Sequence, residues 1–258
     1  MSIKFAFAGD RQISVDILSF LLSKGLVPKI LIIPDENSAS HADELIKLCS
    51  KHSNIIVFRG KSFKTPNGIK RINEANLDYI FSIHFSEIYP NEILSIPKYG
   101  ILNLHPAYLP YNRGWHTPTW AIIDETPYGA TLHFMNETVD TGDIVHQKKI
   151  KILPNDTADS LYKRVLKTEY ETFIEAWPSI QKKEYNRLKQ NPKNATTHKK
   201  RDIVNIQNID LNQNVKAKDL INKIRGLTTN KNEENAFFYE NGKKYCIQIN
   251  IYEEEMNK

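Results

Sequence analysis

The sequence has few of the residues that mark disulfide-rich or membrane proteins. Its 258 residues include only two cysteines, Cys49 and Cys246, which are too few for a disulfide framework and lack Cys-x-x-Cys spacing. No segment approaches the roughly 18 consecutive apolar residues that a membrane span needs. The apolar run Ile3–Ala8 ends at Asp10 and Arg11, which do not fit a secretory signal core. We therefore expect a cytoplasmic protein that has no membrane partner.

A large excess of charge is also missing. The formal net charge is +5, and the lysines and arginines are mostly interspersed with acidic residues. A nucleic-acid partner would require the positive charge to be gathered on one face. We expect no nucleic-acid partner, whereas a small anionic ligand is compatible with this charge.

Short apolar runs alternate with amphipathic stretches through the first 105 residues. Strands connected by helices imply right-handed crossovers and a parallel sheet. The sequence therefore predicts an α/β fold with an open, doubly wound, mostly parallel sheet of the Rossmann-like kind. The predicted strands cover residues 4–8, 29–33, 55–58, 79–85 and 100–105.

The pattern changes after residue 127. Residues 128–134 and 144–152 are strand-like and joined by a short polar loop, which predicts an antiparallel neighbouring pair. Residues 155–157 cap a long helix that we expect to end at Pro178.

The last third is more polar. A short helix over residues 217–225 precedes a hairpin around Asn241-Gly242, a strong hairpin signal. We predict a catalytic domain over residues 1–190 and a C-terminal extension with a β-hairpin over residues 191–258.

Candidate chemistry lies at the end of the fifth predicted strand. Asn103 and His105 are two residues apart, so their side chains share one face, and Pro106 ends the strand. Open α/β sheets bind ligands at the carboxyl ends of their strands. The two side chains are therefore candidate catalytic groups; the alternative is that they only hydrogen-bond the following loop.

A second polar stretch, Asn136–Asp143, connects the two later strands. Asp140 precedes Thr-Gly and is either a catalytic carboxylate or part of an ordinary turn. A zinc site is the rival explanation for this region, and its candidate ligands are His105, His116, His133, Asp140 and His146. We expect no metal because the sequence offers no tight ligand pair.

Taken together, these stretches resemble the formyltetrahydrofolate-dependent formyltransferases. The family pattern is Asn-x-His-Pro, Leu-Pro, Arg-Gly and Asp-x-Gly-Asp. Here it occurs as Asn103-Leu-His-Pro106, Leu109-Pro110, Arg113-Gly114 and Asp140-Thr-Gly-Asp143. The resemblance implies a metal-free enzyme that uses N10-formyltetrahydrofolate as formyl donor, with Asn103, His105 and Asp140 as its catalytic trio.

The chemistry of formyl transfer explains this trio. The amide N–H of Asn103 can donate to the developing oxyanion. His105 can accept the amine proton near neutral pH, and Asp140 can orient the imidazole. By resemblance the formyl donor contacts Ser82, Ile83, His84 and Phe85, mostly through backbone groups, together with Asn136 and Val139.

Among the acceptors of this family, a nucleotide-linked amino sugar fits best, because the chain resembles that branch in residues 109–116, 198–201 and 221–228. Three cations follow His198, a composition that suits a diphosphate, although a solvated loop is the alternative. Trp115 is a candidate to line the pocket for the sugar or the base; the alternative is that its ring packs in the core. The expected substrate contacts are Arg11, Tyr108, Trp115, His116, His198, Lys199, Lys200 and Arg201.

The nucleotide-sugar branch implies a homodimer that acts in surface polysaccharide (O-antigen) synthesis. The first expected substrate is dTDP-4-amino-4,6-dideoxyglucose, followed by dTDP-linked 3-amino or UDP-linked amino sugars. A methionyl-tRNA formyltransferase-like enzyme remains an alternative, as does a non-catalytic module that binds folate or sugar nucleotide.

Overall fold

The computed structural model describes residues 3–254. Its main sheet has seven strands in the order β3-β2-β1-β4-β5-β7-β8, and β1 to β5 pair in parallel. The strands are β1 Phe5–Gly9, β2 Ile30–Ile33, β3 Ile56–Arg59, β4 Tyr79–Ile83, β5 Gly100–His105, β6 Arg113–Gly114, β7 Tyr128–Phe134, β8 Ile144–Ile150, β9 Thr197–His198, β10 Ala236–Glu240 and β11 Lys243–Ile247.

Helices connect and flank the strands of the main sheet, which confirms the predicted α/β class. They are α1 Arg11–Ser23, α2 Ala42–Cys49, α3 Pro66–Glu74, α4 Asn91–Leu94, α5 Thr117–Ile123, α6 Ala158–Lys182, α7 Val204–Gln207 and α8 Ala217–Gly226. None of the helices within residues 3–254 is long and apolar enough to cross a membrane.

The order of the parallel strands reverses at β1 and β4. Chain connection runs outward from β1 to β3 and then returns to β4 on the other side of β1. The carboxyl ends of two such strands form the usual ligand crevice of open α/β sheets. We call this place, where the strand order reverses, the switch point. At it lie Gly9, the last residue of β1, and Ile83, the last residue of β4, which are register partners.

The described residues divide into two compact units that are not consecutive along the chain. The first unit runs from the start of the described residues to His105 and includes Thr131–Gln147 and Glu169–Gln190. The second contains Pro106–Ala130, Lys148–Thr168 and the chain from Asn191 onward. The division into residues 1–190 and 191–258 stays a prediction.

Each unit has its own apolar core. In the first unit, alternate residues of β1 and β2 pack with side chains such as Phe63 and Ile72. In the second, Ala121 and Ile122 of α5 pack with Leu161 and Val165 of α6. Each unit therefore has its own buried apolar core, which fixes the strands and helices that carry its polar side chains.

The predicted end of α6 is wrong. The helix continues through Pro178 to Lys182. The proline ring lies on the exposed side, while Trp177 and Ile180 are buried on either side of it. Burial of these two neighbours holds the helix together although Pro178 contributes no N–H to it.

The C-terminal predictions are confirmed. The predicted short helix is α8, and β10 and β11 form an antiparallel hairpin. Asn241 and Gly242 connect the strands with positive φ angles of 50° and 75°. Asparagine and glycine tolerate this conformation better than other residues, which explains the turn.

Candidate active site

Strand β5 places Asn103 and His105 side by side in the first unit. Its antiparallel neighbour β7 sets Asn103 opposite His133 and His105 opposite Thr131. His105 is only 7% exposed, although it lies at the carboxyl end of the strand. The sheet thus presents two polar side chains on one face of β5, as the sequence predicts.

The loop between β7 and β8 brings in Asp140. Asp140 has a φ of 54°, and the loop closes through a 2.8 Å hydrogen bond from the Phe134 N–H to the Asp143 carbonyl. A Cβ atom on Gly142 would lie 1.8 Å from the Phe134 carbonyl oxygen. The third position of the Asp-Thr-Gly sequence therefore has no room for a side chain.

The three predicted catalytic side chains come together within the first unit. Asp140 Oδ1 accepts a long hydrogen bond of 3.4 Å from Asn103 Nδ2. Asp140 Oδ2 lies 3.6 Å from His105 Nε2, a distance longer than that of a hydrogen bond. One carboxylate thus faces both a potential proton acceptor and an amide donor.

His133 is a fourth member of this cluster, and the sequence reasoning missed its role. Its Nδ1 donates to the Phe134 carbonyl at 2.8 Å, so its Nε2 is left to accept from Asn103 Nδ2 at 3.1 Å. The same Nε2 lies 3.5 Å from Asp140 Oδ1. His133 therefore fixes the orientation of the Asn103 amide, with its nitrogen toward Asp140.

The predicted formyl-donor segment, residues 82–85, comprises the end of β4 and the start of the loop that follows it, at the switch point of the sheet. Ser82 and Ile83 are buried, and the Ile83 carbonyl accepts a 2.7 Å hydrogen bond from the Ser14 hydroxyl. Phe85 packs against Phe63 and Tyr89, which gives the loop an apolar side. The Ile83 carbonyl and the Phe85 ring therefore both have structural partners within the first unit, and the role of these residues as donor contacts stays a prediction.

His84 in the same loop has an unusual partner. Its φ is 50°, and its Nε2 lies 2.8 and 2.9 Å from the two carboxylate oxygens of Glu169 on α6. Both side chains are almost fully buried. A buried charge-assisted hydrogen bond of this kind holds the loop in one conformation.

Two further predicted donor contacts, Asn136 and Val139, lie on the exposed part of the Asp140 loop. The Asn136 side-chain oxygen accepts from the Thr138 N–H at 3.1 Å and the Thr141 hydroxyl at 2.7 Å. Val139 is 56% exposed. The Asn136 side chain therefore shapes the loop, and the Val139 side chain exposes apolar surface to solvent.

Arg11 is the one predicted substrate contact in the first unit. It is exposed, begins α1 with a φ of 66° and follows Asp10 at the switch point. Burial alone would raise the pKa of Asp10, but hydrogen bonds from backbone N–H groups, including those of His41 and Ser40, outweigh it and lower the pKa. Asp10 is therefore a structural anion that ties the start of α1 to the chain before α2.

The other predicted substrate contacts, which begin at Tyr108, lie in the second unit. We call residues His198–Arg201 the basic segment. Strand β6 pairs with β9 in parallel, and a Cβ atom on Gly114 would lie 2.3 Å from the His198 carbonyl oxygen. The glycine of the Arg-Gly sequence thus permits the close approach that holds the basic segment.

The side chains of the basic segment differ in exposure. Lys199, Lys200 and Arg201 are exposed, and the Lys200 ammonium lies 5.1 Å from the ring centroid of Trp115, itself 43% exposed. His116, by contrast, places its Nε2 3.1 Å from the Lys200 carbonyl and its Nδ1 near a glutamate. The three cations and Trp115 face solvent, whereas His116 has structural partners.

His198 is not a fourth cation. Its ring stacks on Trp120 with centroids 4.1 Å apart and planes 6° apart. Burial lowers the pKa of His198, although the nearby carboxylate of Asp124 acts in the opposite direction. Burial of the ring therefore disfavours its charged form, in contrast to the three exposed cations that follow it.

The candidate ligands of the rival zinc explanation do not form a metal site in the described part of the chain. Within residues 3–254 no three histidine, cysteine or acidic side chains come together in an arrangement that could hold a metal ion. His146 instead pairs with Glu175 at 3.1 Å.

Several known proteins with similar sequences are named as formyltransferases. The chain is 27% identical over 229 residues to the dTDP-4-amino-4,6-dideoxyglucose formyltransferase of Mycobacterium tuberculosis, covering 85% of this chain and 95% of the relative. It is 33% identical over 260 residues to the methionyl-tRNA formyltransferase of Ehrlichia canis, covering 96% and 80%.

Two solved structures share the fold. A 4-N formyltransferase from Francisella tularensis superposes with a TM-score of 0.82 at 24% identity, covering 97% of this chain and 98% of that one. An N-formyltransferase from Helicobacter canadensis, solved in complex with folinic acid and dTDP-3-aminofucose, gives 0.70 at 24% identity and covers 93% and 85%.

Two family models match separate parts of the chain. Residues 29–177 match the model described as formyl transferase. Residues 202–253 match the one described as N-formyltransferase dimerization C-terminal domain.

Proposed function

Because this chain belongs to the formyl transferase family, we propose that it transfers a formyl group from N10-formyltetrahydrofolate to the amino group of a nucleotide-linked amino sugar. The observation that carries this proposal is the position of the Asp140 carboxylate, 3.6 Å from His105 Nε2 and 3.4 Å from Asn103 Nδ2. The chain is a formyl-transferring enzyme, so the alternative of a non-catalytic binding module is not retained.

The reaction sets three tasks for the protein. The amine nitrogen forms a bond to the formyl carbon and the bond from that carbon to N10 breaks. The amine loses one proton, and N10 gains one as tetrahydrofolate leaves. The protein must therefore hold the amine, accept its proton and stabilise the negative charge that develops on the formyl oxygen.

The trio supplies the last two tasks. His105 Nε2 accepts the amine proton, and the Asp140 carboxylate stabilises the positive charge that the imidazole gains. The Asn103 amide donates to the developing oxyanion. Its long bond to Asp140 is the donor contact most easily given up, since its other N–H is bonded to His133.

The formyl donor fits the loop after β4. The predicted donor segment begins at the end of β4, where Ser82 is the register partner of Asn103 on β5. The apolar side formed by Phe85 suits a pterin ring, and backbone groups of residues 82–85 provide polar contacts. The donor supplies an activated formyl group, so the protein needs no metal to carry it.

Within this proposal the acceptor is dTDP-4-amino-4,6-dideoxyglucose, a precursor for surface polysaccharide. The Mycobacterium tuberculosis relative is named for this substrate, and the Helicobacter canadensis structure contains the dTDP-linked 3-amino sugar. The exposed cations Lys199, Lys200 and Arg201 suit a diphosphate, and Trp115 suits a sugar or base. A dTDP-linked 3-amino sugar, a UDP-linked amino sugar and methionyl-tRNA are the other acceptors to test.

We assign catalysis to residues 1–190 and dimer formation to residues 191–258. The match of residues 202–253 to a dimerization domain supports a homodimer. Tyr239 and Tyr245 of the hairpin are 58% and 44% exposed, which gives this region apolar surface for a second copy. Sedimentation should show a dimer, and a monomer at all concentrations would contradict this assignment.

The test is a panel of acceptors incubated with N10-formyltetrahydrofolate and followed by mass spectrometry. We expect the gain of one formyl group on a dTDP-linked amino sugar, with and without EDTA. Formylation of methionyl-tRNA, with none of the nucleotide sugars formylated, would identify methionyl-tRNA as the acceptor. Loss of activity with EDTA that zinc restores would contradict the metal-free mechanism.

A further inference from the structure

Gln190, near the end of the first unit, makes two hydrogen bonds to the loop that carries Asp140. Its side-chain Nε2 lies 2.8 Å from the Asp140 carbonyl oxygen and 2.8 Å from the Gly142 carbonyl oxygen. Fifty residues of sequence separate Gln190 from Asp140. The contact therefore belongs to the tertiary structure of the first unit and not to a local turn.

The chemistry of this contact requires an amide nitrogen. Both partners are carbonyl oxygens, which only accept hydrogen bonds, so the side-chain oxygen of Gln190 cannot occupy this position. A primary amide has two N–H groups that diverge from one nitrogen, and each carbonyl takes one. Glutamate has the same length but would direct oxygen toward oxygen.

The segment before Gln190 follows the same loop. Leu188 and Ile144 exchange two backbone hydrogen bonds of 2.8 and 2.9 Å. Arg187 Nε lies 3.3 Å from Asp143 Oδ2, and its guanidinium covers the ring of Phe134. We call residues 187–190 the strap; through Arg187 and Gln190 it contacts the loop on both sides of Gly142.

The Asp140 loop has need of such support. Asp140 has a φ of 54°, in the left-handed region that residues other than glycine adopt only rarely. The preceding residues, Asn136 to Val139, are exposed and therefore give the loop little packing. Holding the Asp140 and Gly142 carbonyls together restricts the backbone from which the carboxylate projects.

We propose that Gln190 is a positioning residue for formyl transfer, which acts by holding the Asp140 carboxylate toward His105 and Asn103. The inference rests on the proposed function. A displacement of about 1 Å in a catalytic group can cost on the order of 100-fold in rate. Gln190 itself touches neither the reacting atoms nor the acceptor in this role.

The experiment compares Gln190→Met and Gln190→Glu with wild type and with the matched control Lys189→Met. Methionine has nearly the shape of glutamine without its donors, and Lys189 is an exposed neighbour. We expect kcat to fall about tenfold to 100-fold in Gln190→Met and further in Gln190→Glu. The KM for the nucleotide sugar and the Kd for dTDP should stay within about twofold of wild type in all three variants.

A double-mutant cycle separates positioning from general stability. In an Asp140→Asn background, Gln190→Met should lower kcat by less than about twofold, because the carboxylate that it positions is gone. A structural role would lower kcat equally in both backgrounds. Thermal melting of every variant identifies any that fail to fold, and Gln190→Glu then provides the second comparison.

The outcomes distinguish the two proposals. If wild type forms no formylated product, the proposed function fails and this inference with it. If wild type turns over and Gln190→Met retains its kcat, only the positioning role is overturned. Additive losses in the cycle overturn it as well.

Discussion

The Asp140 loop of the first unit and the basic segment of the second differ in how their polar groups are held. In the loop region, His105 and His133 are buried and Asp140 is bonded through both its side chain and its carbonyl. In the basic segment, the cations are exposed and the backbone is fixed mainly by the β6–β9 pairing. Buried, cross-bonded groups suit a reaction step, whereas exposed cations suit the capture of an anion.

The largest effect should come from the loop. Asp140→Asn keeps the size of the side chain but removes the charge that stabilises protonated His105. We expect kcat to fall about 100- to 10,000-fold with little change in dTDP binding. Steady-state kinetics with parallel calorimetry checks this split.

The matched control for that variant is Asp143→Asn in the same loop. Its carboxylate faces Arg187 at 3.3 Å, and the pair is partly exposed. Surface pairs contribute little, so kcat should fall less than about tenfold. Equal losses of kcat in the two variants would show that the effect comes from disturbing the loop and not from the Asp140 carboxylate itself.

The next effect belongs to the basic segment. Replacing Lys200 and Arg201 together with alanine should raise the Kd for dTDP about tenfold or more, because hydrogen bonds from charged groups to the diphosphate are lost. Folate binding and kcat at saturation should be close to wild type. Calorimetric titration with dTDP and with folinic acid provides the measurement.

A charge-matched control is Lys182→Ala with Lys189→Ala, two exposed cations of the first unit. It removes the same charge from the protein, so an equal loss of dTDP affinity would indicate a general electrostatic effect. An unchanged Kd in the basic-segment variant would mean that these cations belong to a solvated loop.

A smaller effect should follow from disturbing the backbone under the basic segment. In Gly114→Ala the new Cβ would meet the His198 carbonyl at 2.3 Å, and the φ of 90° is itself unfavourable. We expect a several-fold weaker dTDP affinity and a lower melting temperature.

The control is Gly242→Ala, at a position with a φ of 75° and no atom within 4 Å of the new Cβ. It isolates the free-energy cost of placing alanine in the left-handed conformation, about 1–2 kcal/mol. Equal behaviour of the two variants would show that the β6–β9 contact is unimportant.

The smallest effect concerns pH. Burial lowers the pKa of His198, so the unfolded chain takes up this proton first as the pH falls through about 6.5. Folding stability from this residue is therefore complete above that pH and declines below it. His198→Gln should reduce the slope of stability against pH between 6.5 and 5, measured by urea unfolding. An unchanged slope would place the ring in a solvated environment.

Part of this arrangement was accessible from the sequence. Apolar runs predicted the five parallel strands, and alternation along β5 placed Asn103 and His105 on one face. The contacts of Asp140 with His133 and Gln190 were not predicted, because they depend on the β5–β7 register and on a strap fifty residues away. A correct prediction of the register between β5 and β7 would have placed Asn103 opposite His133 and so indicated their contact.

Pro178 shows a different limit. Its identity predicts a helix end, but burial of Trp177 and Ile180 decides the outcome, and burial is a property of the folded chain. In the same way, the sequence predicts a diphosphate site from His198 and the three cations after it. Only the structure shows that the His198 ring stacks on Trp120, where burial disfavours its charged form.

The most direct measurement is single-turnover formyl transfer by His105→Ala, with formyl donor and dTDP-4-amino-4,6-dideoxyglucose both saturating. Wild type should convert the amine in the first turnover, and the variant should do so at least about 100-fold more slowly with an unchanged Kd for the nucleotide. A variant that keeps the wild-type first-turnover rate, or that loses activity only through weaker nucleotide binding, would contradict the assignment of proton transfer to His105.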